Sequence, residues 1–395
     1  MLLKDKQVAI IGGGPAGLTL ARLLQQQGVT VKVYERDINQ GVRQQGSTLD
    51  MHYHTGLKAL NAAGLLDEFK KHYRPGADQT VVVNSNMDIL YDKQPEETEH
   101  NFENEYFRPE IDRGPLRDLL IASLEKETIV WNARFTALEP SGSGWEILFE
   151  NGTSVYADLV IAADGANSRL RKYITTIPAV YSGATAIGGN IYNAAVNAPE
   201  IWKLAKGGSL FALKNGKTIF FITKGDGTLT FLIGLKKPED WLQNSGIDLT
   251  DSTSVAAWFK QEFAEWSPEW QQLFASNELT IITYPWYHFP TDQHWETLPN
   301  LTMIGDAAHR MPPYAGEGAN QALADALDLY EALCGDQFET ILQAITSFEQ
   351  KMLKRSAITT EESLRNTAGL HSEDNMQFLM DVFGNPALNY ASKEA

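Results

Sequence analysis

Apolar residues change their spacing several times along the chain, and each change marks an element. Residues 8–11 form a short unbroken apolar run that ends in Gly12-Gly13-Gly14. An unbroken run suits a strand covered on both faces, as in a parallel sheet. From residue 15 to 27 the apolar positions Leu18, Ala21 and Leu24 share one helical face, and Gly28 supplies the stop. Residues 29–34 read as a second strand, which closes a strand–helix–strand unit. Downstream, residues 54–71 predict a helix broken at Gly64, residues 80–91 two short strands, and residues 92–105 an exposed acidic loop. An amphipathic helix is expected over 113–126, then strands at 128–131, 134–139, 145–149 and 154–162.

From about 180 to 235 the character changes. Short β-type runs at 184–196, 209–213, 217–224 and 228–235 are separated by Gly, Asn, Lys and Asp, which predicts an antiparallel sheet and hence a second domain. Residues 252–275 read as a helix that packs Trp258, Phe259, Phe263, Trp266 and Trp270 into a core. A strand is expected at 279–289 and a buried one at 301–304. Two helical stretches, 318–334 and 338–382, finish the chain. The second carries Leu342, Ile345, Phe348 and Met352 on a stripe and is expected to brace both domains.

The first glycines have the form Gly12-x-Gly14-x-x-Gly17, directly after a strand and opening a helix. This is the Rossmann dinucleotide fingerprint. Gly12 permits the tight turn, Gly14 lets backbone approach a diphosphate, and Gly17 lets helix and strand pack closely. Ala16 lies in the same turn and is counted with them. The diphosphate then meets the free N–H groups at the helix N-terminus. Glu35 ends the second strand, where an acidic side chain accepts from ribose hydroxyls. Arg36 is read as an adenine-side contact or a surface charge.

Composition narrows the partners. The chain has 395 residues, 43% hydrophobic and 21% charged, with a net charge of -17. That balance argues against nucleic acid or an anionic membrane. Any anionic cofactor must draw on local arginines and N–H groups. The single cysteine, Cys334, excludes an intramolecular disulfide and fits a cytoplasmic setting. The N-terminal apolar run leads into glycines rather than a cleavage site, and no stretch reaches the roughly 20 apolar residues of a membrane span. A monomer is expected, with a dimer as the alternative.

Two further segments carry a family resemblance. They are Ala162-Ala163-Asp164-Gly165-Ala166-Asn167-Ser168-x-x-Arg171 and Met303-Ile304-Gly305-Asp306-Ala307-Ala308-His309. With the fingerprint, in this order, the chain resembles the class A flavoprotein monooxygenases of the para-hydroxybenzoate hydroxylase type over residues 6 to 380. The resemblance implies an α/β fold: a Rossmann-type FAD-binding domain, an inserted antiparallel-sheet substrate domain and a long C-terminal helix. The FAD-binding domain is expected over 1–78, 101–178 and 279–334, the substrate domain over 79–100 and 179–278, and the bridging helix and tail over 335–395.

Within that resemblance Asp306 is expected to bind the ribityl chain of FAD, the other reading being a helix N-cap. His309 is given no catalytic role. Pro313, Gly316, Gly318 and Asn320 border the isoalloxazine ring, with a helix N-terminus aimed at it. Arg117, one turn after Arg113 on the same helix face, is favoured as an FAD contact. Arg43 and Asp50 belong to an arginine-plus-loop, Arg43 to Asp50, that lines the flavin. Asp164 is expected to serve flavin and pyridine nucleotide. Arg169 and Arg171 are read either as nicotinamide-nucleotide contacts or as a basic helix turn.

No second fingerprint, redox dithiol, metal-ligand cluster or G-x-S-x-G elbow is present in the sequence. The flavin is therefore expected to carry the chemistry. The family reduces FAD with NADPH or NADH, and O2 then forms a C4a-hydroperoxyflavin that hydroxylates a small aromatic or polycyclic substrate. Within the family the chain is most similar to the tetracycline-inactivating monooxygenases, through residues 46–52, 237–241 and 304–320. Those enzymes hold tetracycline with polar and basic side chains in the sheet domain, where this chain has Gly188, Ser209 and Thr230. Phe211, Phe220, Thr230, Pro313, Tyr314 and Met376 are the expected pocket lining. The alternatives are a flavin-dependent halogenase, whose W-x-W-x-I-P segment is only approximated by Trp286-Tyr287-His288-Phe289-Pro290, a non-oxygenating flavin reductase, and a flavin-binding sensor.

Overall fold

The strand Gln7–Ile11 lies in the middle of a five-stranded parallel sheet, in the order Leu301–Met303, Leu159–Ala162, Gln7–Ile11, Thr30–Tyr34, Ile129–Val130. The computed structural model describes residues 2–42, 46–93, 101–275 and 280–384. Val8, Ile10, Leu159, Ile161 and Leu301 are buried in this sheet, as its unbroken apolar runs require. The apolar stretch 154–162 is two strands, broken at Asp158. That carboxylate accepts from the Gln7 N–H at 2.9 Å and from Lys6 Nζ at 3.0 Å, which turns the chain out of one sheet and into the next. The earlier half, Ser154–Ala157, completes a three-stranded antiparallel sheet with Gly144–Phe149 and Phe135–Ser141.

The second large sheet has seven strands, in the order Thr280–His288, Val180–Ile191, Leu229–Lys236, Lys217–Thr223, Ser209–Lys214, Thr80–Val83, Ile89–Lys93. It is antiparallel except where Ser209–Lys214 runs parallel to Thr80–Val83. The strand Thr280–His288 pairs with Val180–Ile191, so it belongs to this sheet and not with the nucleotide-binding part, to which the sequence reading assigned residues from 279 onward. Its half-exposed, aromatic-rich alternation distinguishes it from the fully buried parallel strands. One face of the sheet packs on Phe259, Phe263, Trp266 and Trp270. Phe259 comes from the helix Ser252–Glu262, Trp270 from a 3₁₀ segment, Pro268–Phe274, and Phe263 and Trp266 from the turn between them, rather than from one continuous helix.

The C-terminal helical stretch is also two pieces. Helix Ile341–Leu370 starts on a capping box between Thr340 and Gln343 and stops at His371, and Asn375–Gly384 follows. The longer piece holds both halves of the molecule. Glu349 accepts from Thr302 in the parallel sheet, Ser363 donates to Pro312 O, and His371 donates from Nδ1 to Gly216 O in the antiparallel sheet. Among the described residues no helix is long and apolar enough to cross a membrane.

The helices Gly318–Cys334 and Ile341–Leu370 meet at a buried charge cluster. Asp325 is fully buried. Its Oδ2 accepts from the Gly305 N–H at 2.8 Å and from His309 Nε2 at 2.5 Å, and its Oδ1 takes Arg355 Nη2 at 2.6 Å. Burial works against the Asp325 charge, but His309 and Arg355 hold its pKa below the ordinary carboxylate value. Removing one partner of such a pair leaves a buried charge uncompensated. Arg355→Ala is expected to lower the unfolding free energy by roughly 3–5 kcal/mol. Denaturant titration checks this; a loss below about 1 kcal/mol would show the cluster to be dispensable.

Candidate active site

The fingerprint turn is shaped by close backbone approaches. Gly12 has φ +117°, and a Cβ there would sit 2.2 Å from Ala163 O in the neighbouring strand. A Cβ on Gly17 would sit 2.2 Å from Gly12 O. Gly14 differs: nothing lies within 4 Å of its Cβ position, so the N-terminus of helix Pro15–Gln26 opens onto free space. Ala16 is buried beneath the turn. Glu35 is buried and accepts from the N–H groups of Gly13, at 2.7 Å, and Asp37, at 3.0 Å. The adjacent Arg36 is exposed.

Across the opening stands the Gly305-Asp306 turn. Gly305 has φ +62° and is itself the N-cap of the short helix Asp306–His309, so Asp306 is not the cap. Asp306 is exposed although its neighbours on both sides are buried. Its Oδ1 lies 4.0 Å from the Cβ position of Gly318. His309 is buried against Asp325, a structural bond.

Arg117 does not take the cofactor-facing place expected of it. Arg117 is buried, and its guanidinium donates to Gly13 O at 3.4 Å, Gln40 O at 3.0 Å and Asp37 Oδ2 at 3.3 Å. It braces the fingerprint loop from behind. Arg113 is the residue that enters the opening, facing Asp306 and Tyr284. Its guanidinium is reached by solvent yet walled in by protein. That enclosure lowers its pKa, against the pull of Asp306 and Tyr284. The helix begins at Arg113, and a one-turn spacing alone does not say which of two arginines points inward. Arg43 lies outside the described residues.

In the Asp164-Gly165 segment, Asp164 Oδ2 accepts the Arg169 N–H at 2.8 Å, while Oδ1 is buried without a partner. Burial raises the Asp164 pKa. The two candidate arginines separate here. Arg171 is buried: it donates to Ala307 O, Ala308 O and Gln293 Oε1 and lies 3.4 Å over the Phe289 ring. It is an internal brace for the turn that carries Asp306. Arg169 is exposed, with one bond of 3.3 Å to Phe135 O.

The loop 312–320 closes the cleft. Pro313 and Gly316 are exposed, and Gly316 has φ +70°. Asn320 is fully buried; its side chain donates to Asp50 O and accepts from the His52 N–H, each at 2.9 Å. Asp50 is ion-paired as well. His52 sits between Asp50 Oδ2, at 2.8 Å, and Glu317 Oε1, at 2.9 Å, and Arg108 lies 3.7 Å from Asp50. Burial works against the His52 charge, but the two carboxylates outweigh it and raise its pKa to about 9.

Of the expected pocket residues, Phe211, Phe220, Tyr314 and Met376 come together in one apolar cluster below the loop. Phe211 and Phe220 meet edge to face at 4.8 Å. Tyr314 donates to His371 Nε2 at 3.0 Å, since His371 Nδ1 donates to Gly216 O. Thr230 stands apart, donating to Asn190 Oδ1 at 2.7 Å. Sequence reasoning missed Tyr284, Trp286 and His371. Tyr284 and Trp286 stack at 5.1 Å on the edge strand, and their alternate spacing in that strand was the available signal. His371 had no such signal, because its partners are distant in sequence.

A model of the FAD binding domain family matches residues 5–336. A monooxygenase of Penicillium thymicola, penA, is 29% identical over 403 residues, covering 90% of this chain and 90% of that protein. The solved structure of Klebsiella pneumoniae HpxO with FAD and uric acid superposes with TM-score 0.75 at 20% identity, covering 98% of this chain and 93% of that one. The tetracycline destructase Tet(55) gives TM-score 0.77 at 16% identity, covering 100% of this chain and 98% of that one.

The His52 ion pairs carry a pH dependence. Below about pH 6.5 the histidine is charged folded and unfolded, and its contribution is complete; as pH rises from there through about 9, that contribution is lost. His52→Gln is therefore expected to flatten the fall in stability between about pH 6 and about pH 10. Thermal unfolding across that range checks this; an unchanged slope would exclude His52 as the titrating group.

Proposed function

The chain belongs to the FAD binding domain family, as a homologue of its flavin monooxygenases, and we propose that it uses NAD(P)H and O2 to hydroxylate a small aromatic or polycyclic molecule. One observation carries the placement of the cofactor. Three elements converge on one cleft: the open helix N-terminus at Gly14, the exposed Asp306 and the inward-facing Arg113. An anionic dinucleotide with a sugar-alcohol chain fits that donor and acceptor set. The buried, unpartnered Asp164 Oδ1 faces the same need for a hydrogen-bond donor.

FAD supplies the redox chemistry when bound. The N–H groups at the start of helix Pro15–Gln26 and Arg113 would hold its diphosphate. Glu35, at the end of the second strand of the parallel sheet, would accept from the ribose hydroxyls. Asp306 would accept from the ribityl hydroxyls. Pro313, Gly316 and the N-terminus of helix Gly318–Cys334 would border the ring, and that helix end would favour negative charge on it. Asn320 positions this stretch by tying it to Asp50 and His52 rather than by touching the ring through its side chain. Arg169, exposed and with one bond to Phe135 O, would meet the pyridine nucleotide, with Asp164 beside it.

Anaerobic and then aerobic NADPH and NADH oxidation over an aromatic and polyketide panel tests the reaction. Substrate-stimulated O2 uptake and a product heavier by one oxygen atom are expected. A bound flavin that neither nucleotide reduces would sink the reading. Asp306→Ala and Arg113→Ala are each expected to weaken FAD retention about tenfold or more, the weight of one charge-assisted contact. Flavin absorbance per protein reads this out, and full retention in both variants would place the cofactor elsewhere.

A further inference from the structure

His52 joins two pieces of chain that line the cleft. It follows the short strand Thr48–Asp50 and is buried. Its Nε2 lies 2.8 Å from Asp50 Oδ2 and its Nδ1 2.9 Å from Glu317 Oε1. Each ring nitrogen therefore meets a carboxylate oxygen, which has no hydrogen to offer when ionised. A neutral imidazole has one N–H and would serve only one of these contacts; an imidazolium serves both. Asn320 stitches the same two pieces together a second time, through Asp50 O and the His52 N–H. Gly56 allows that stitch to close, since a Cβ there would sit 2.4 Å from Asn320 Oδ1.

Both carboxylates stand at the loop that would border the flavin ring. Asp50 Oδ1 lies 3.8 Å from the Cβ position of Gly316. Glu317 is the N-cap residue of helix Gly318–Cys334, yet its side chain makes no cap hydrogen bond, because it is turned onto His52. The first N–H groups of that helix are thereby kept from its own carboxylate. Without the histidine's charge, Asp50 and Glu317 would set two negative charges beside a ring that gains negative charge on reduction. Glu317 would also be drawn to the positive end of its own helix. The other charged groups that face this pair are Glu110, opposite Asp50 in its ribbon, and Arg108, 3.7 Å from Asp50.

We propose that His52 is a positioning residue whose imidazolium holds Asp50 and Glu317 in place and so raises the reduction potential of the bound flavin. This rests on the flavin monooxygenase reading and extends it to the redox poise of the site. By linkage, reduction of the flavin tightens the hold of His52 on its proton by the same factor. Titration of the holoenzyme with dithionite against a reference dye tests it and needs neither NAD(P)H nor O2. At about pH 7, His52→Gln is expected to lower the two-electron potential by about 30 mV, a roughly tenfold weaker hold on reduced relative to oxidised flavin. That gap is expected to narrow as pH rises through about 9, where the histidine itself loses its charge. A merely structural role would weaken retention of both oxidation states alike and leave the potential unmoved. Should His52→Gln not hold flavin, Glu317→Gln removes one carboxylate, keeps the cation and is expected to raise the potential by a similar amount. Equal potentials in His52→Gln and the unaltered protein, a gap that does not narrow toward about pH 10, or an unchanged or lowered potential in Glu317→Gln overturns the proposal. Loss of flavin from both variants overturns it as well, since the pair would then hold the cofactor rather than set its potential. Flavin that NAD(P)H does not reduce, with the potential shift intact, would instead count against the monooxygenase reading alone.

Discussion

The molecule is organised around one fully buried carboxylate, Asp325. It takes the Gly305 main-chain N–H and the His309 ring from the two ends of one short turn and the Arg355 guanidinium from the long C-terminal helix. The Gly305 bond fixes the turn that exposes Asp306. The Arg355 bond fixes the long C-terminal helix against the helix Gly318–Cys334. That long helix in turn holds Pro312 O through Ser363 and Tyr314 O through Asn366. So the turn that presents Asp306 and the loop that closes the cleft are held by one electrostatic joint. Arg171 supports it from the other side, donating to the carbonyls at the end of the short helix Asp306–His309.

The parts of this structure that were legible in the sequence are those set by backbone geometry. Gly12 and Gly17 announce a strand–turn–helix because no other residue tolerates the approaches of Ala163 O and Gly12 O. Gly305-Asp306 is legible because the turn needs a positive φ at Gly305. What remained hidden depends on contacts between residues far apart in the chain. Arg113 and Arg117 look alike on a helical wheel; only the loop at Gly13, Gln40 and Asp37 reveals that Arg117 faces backward. Asp50 and Asn320 read as ligand contacts, yet His52, Glu317 and two main-chain groups occupy them. The strand Thr280–His288 is legible as a strand, but a domain boundary at 279 separates it from Val180–Ile191, with which it pairs, because that pairing leaves no local trace.

Charge is distributed in layers. A strongly acidic chain places its inward cations where carboxylates already stand: Arg355 on Asp325 and Asp328, His52 between Asp50 and Glu317, Arg113 opposite Asp306. Each of these cations thereby stands beside a carboxylate of the same chain. The central rows of the seven-stranded sheet carry no charged side chain.

The fingerprint turn has a consequence for how such a protein changes over time. Gly12 and Gly17 are held against main-chain oxygens, so replacing either disturbs the backbone of the fold itself. On the seven-stranded sheet the constraint is of another kind: Val82 and Leu213 are buried among side chains, and a substitution there can be answered by a neighbouring side chain rather than by moving the backbone. Change within this architecture is graded on the sheet and abrupt at the turn.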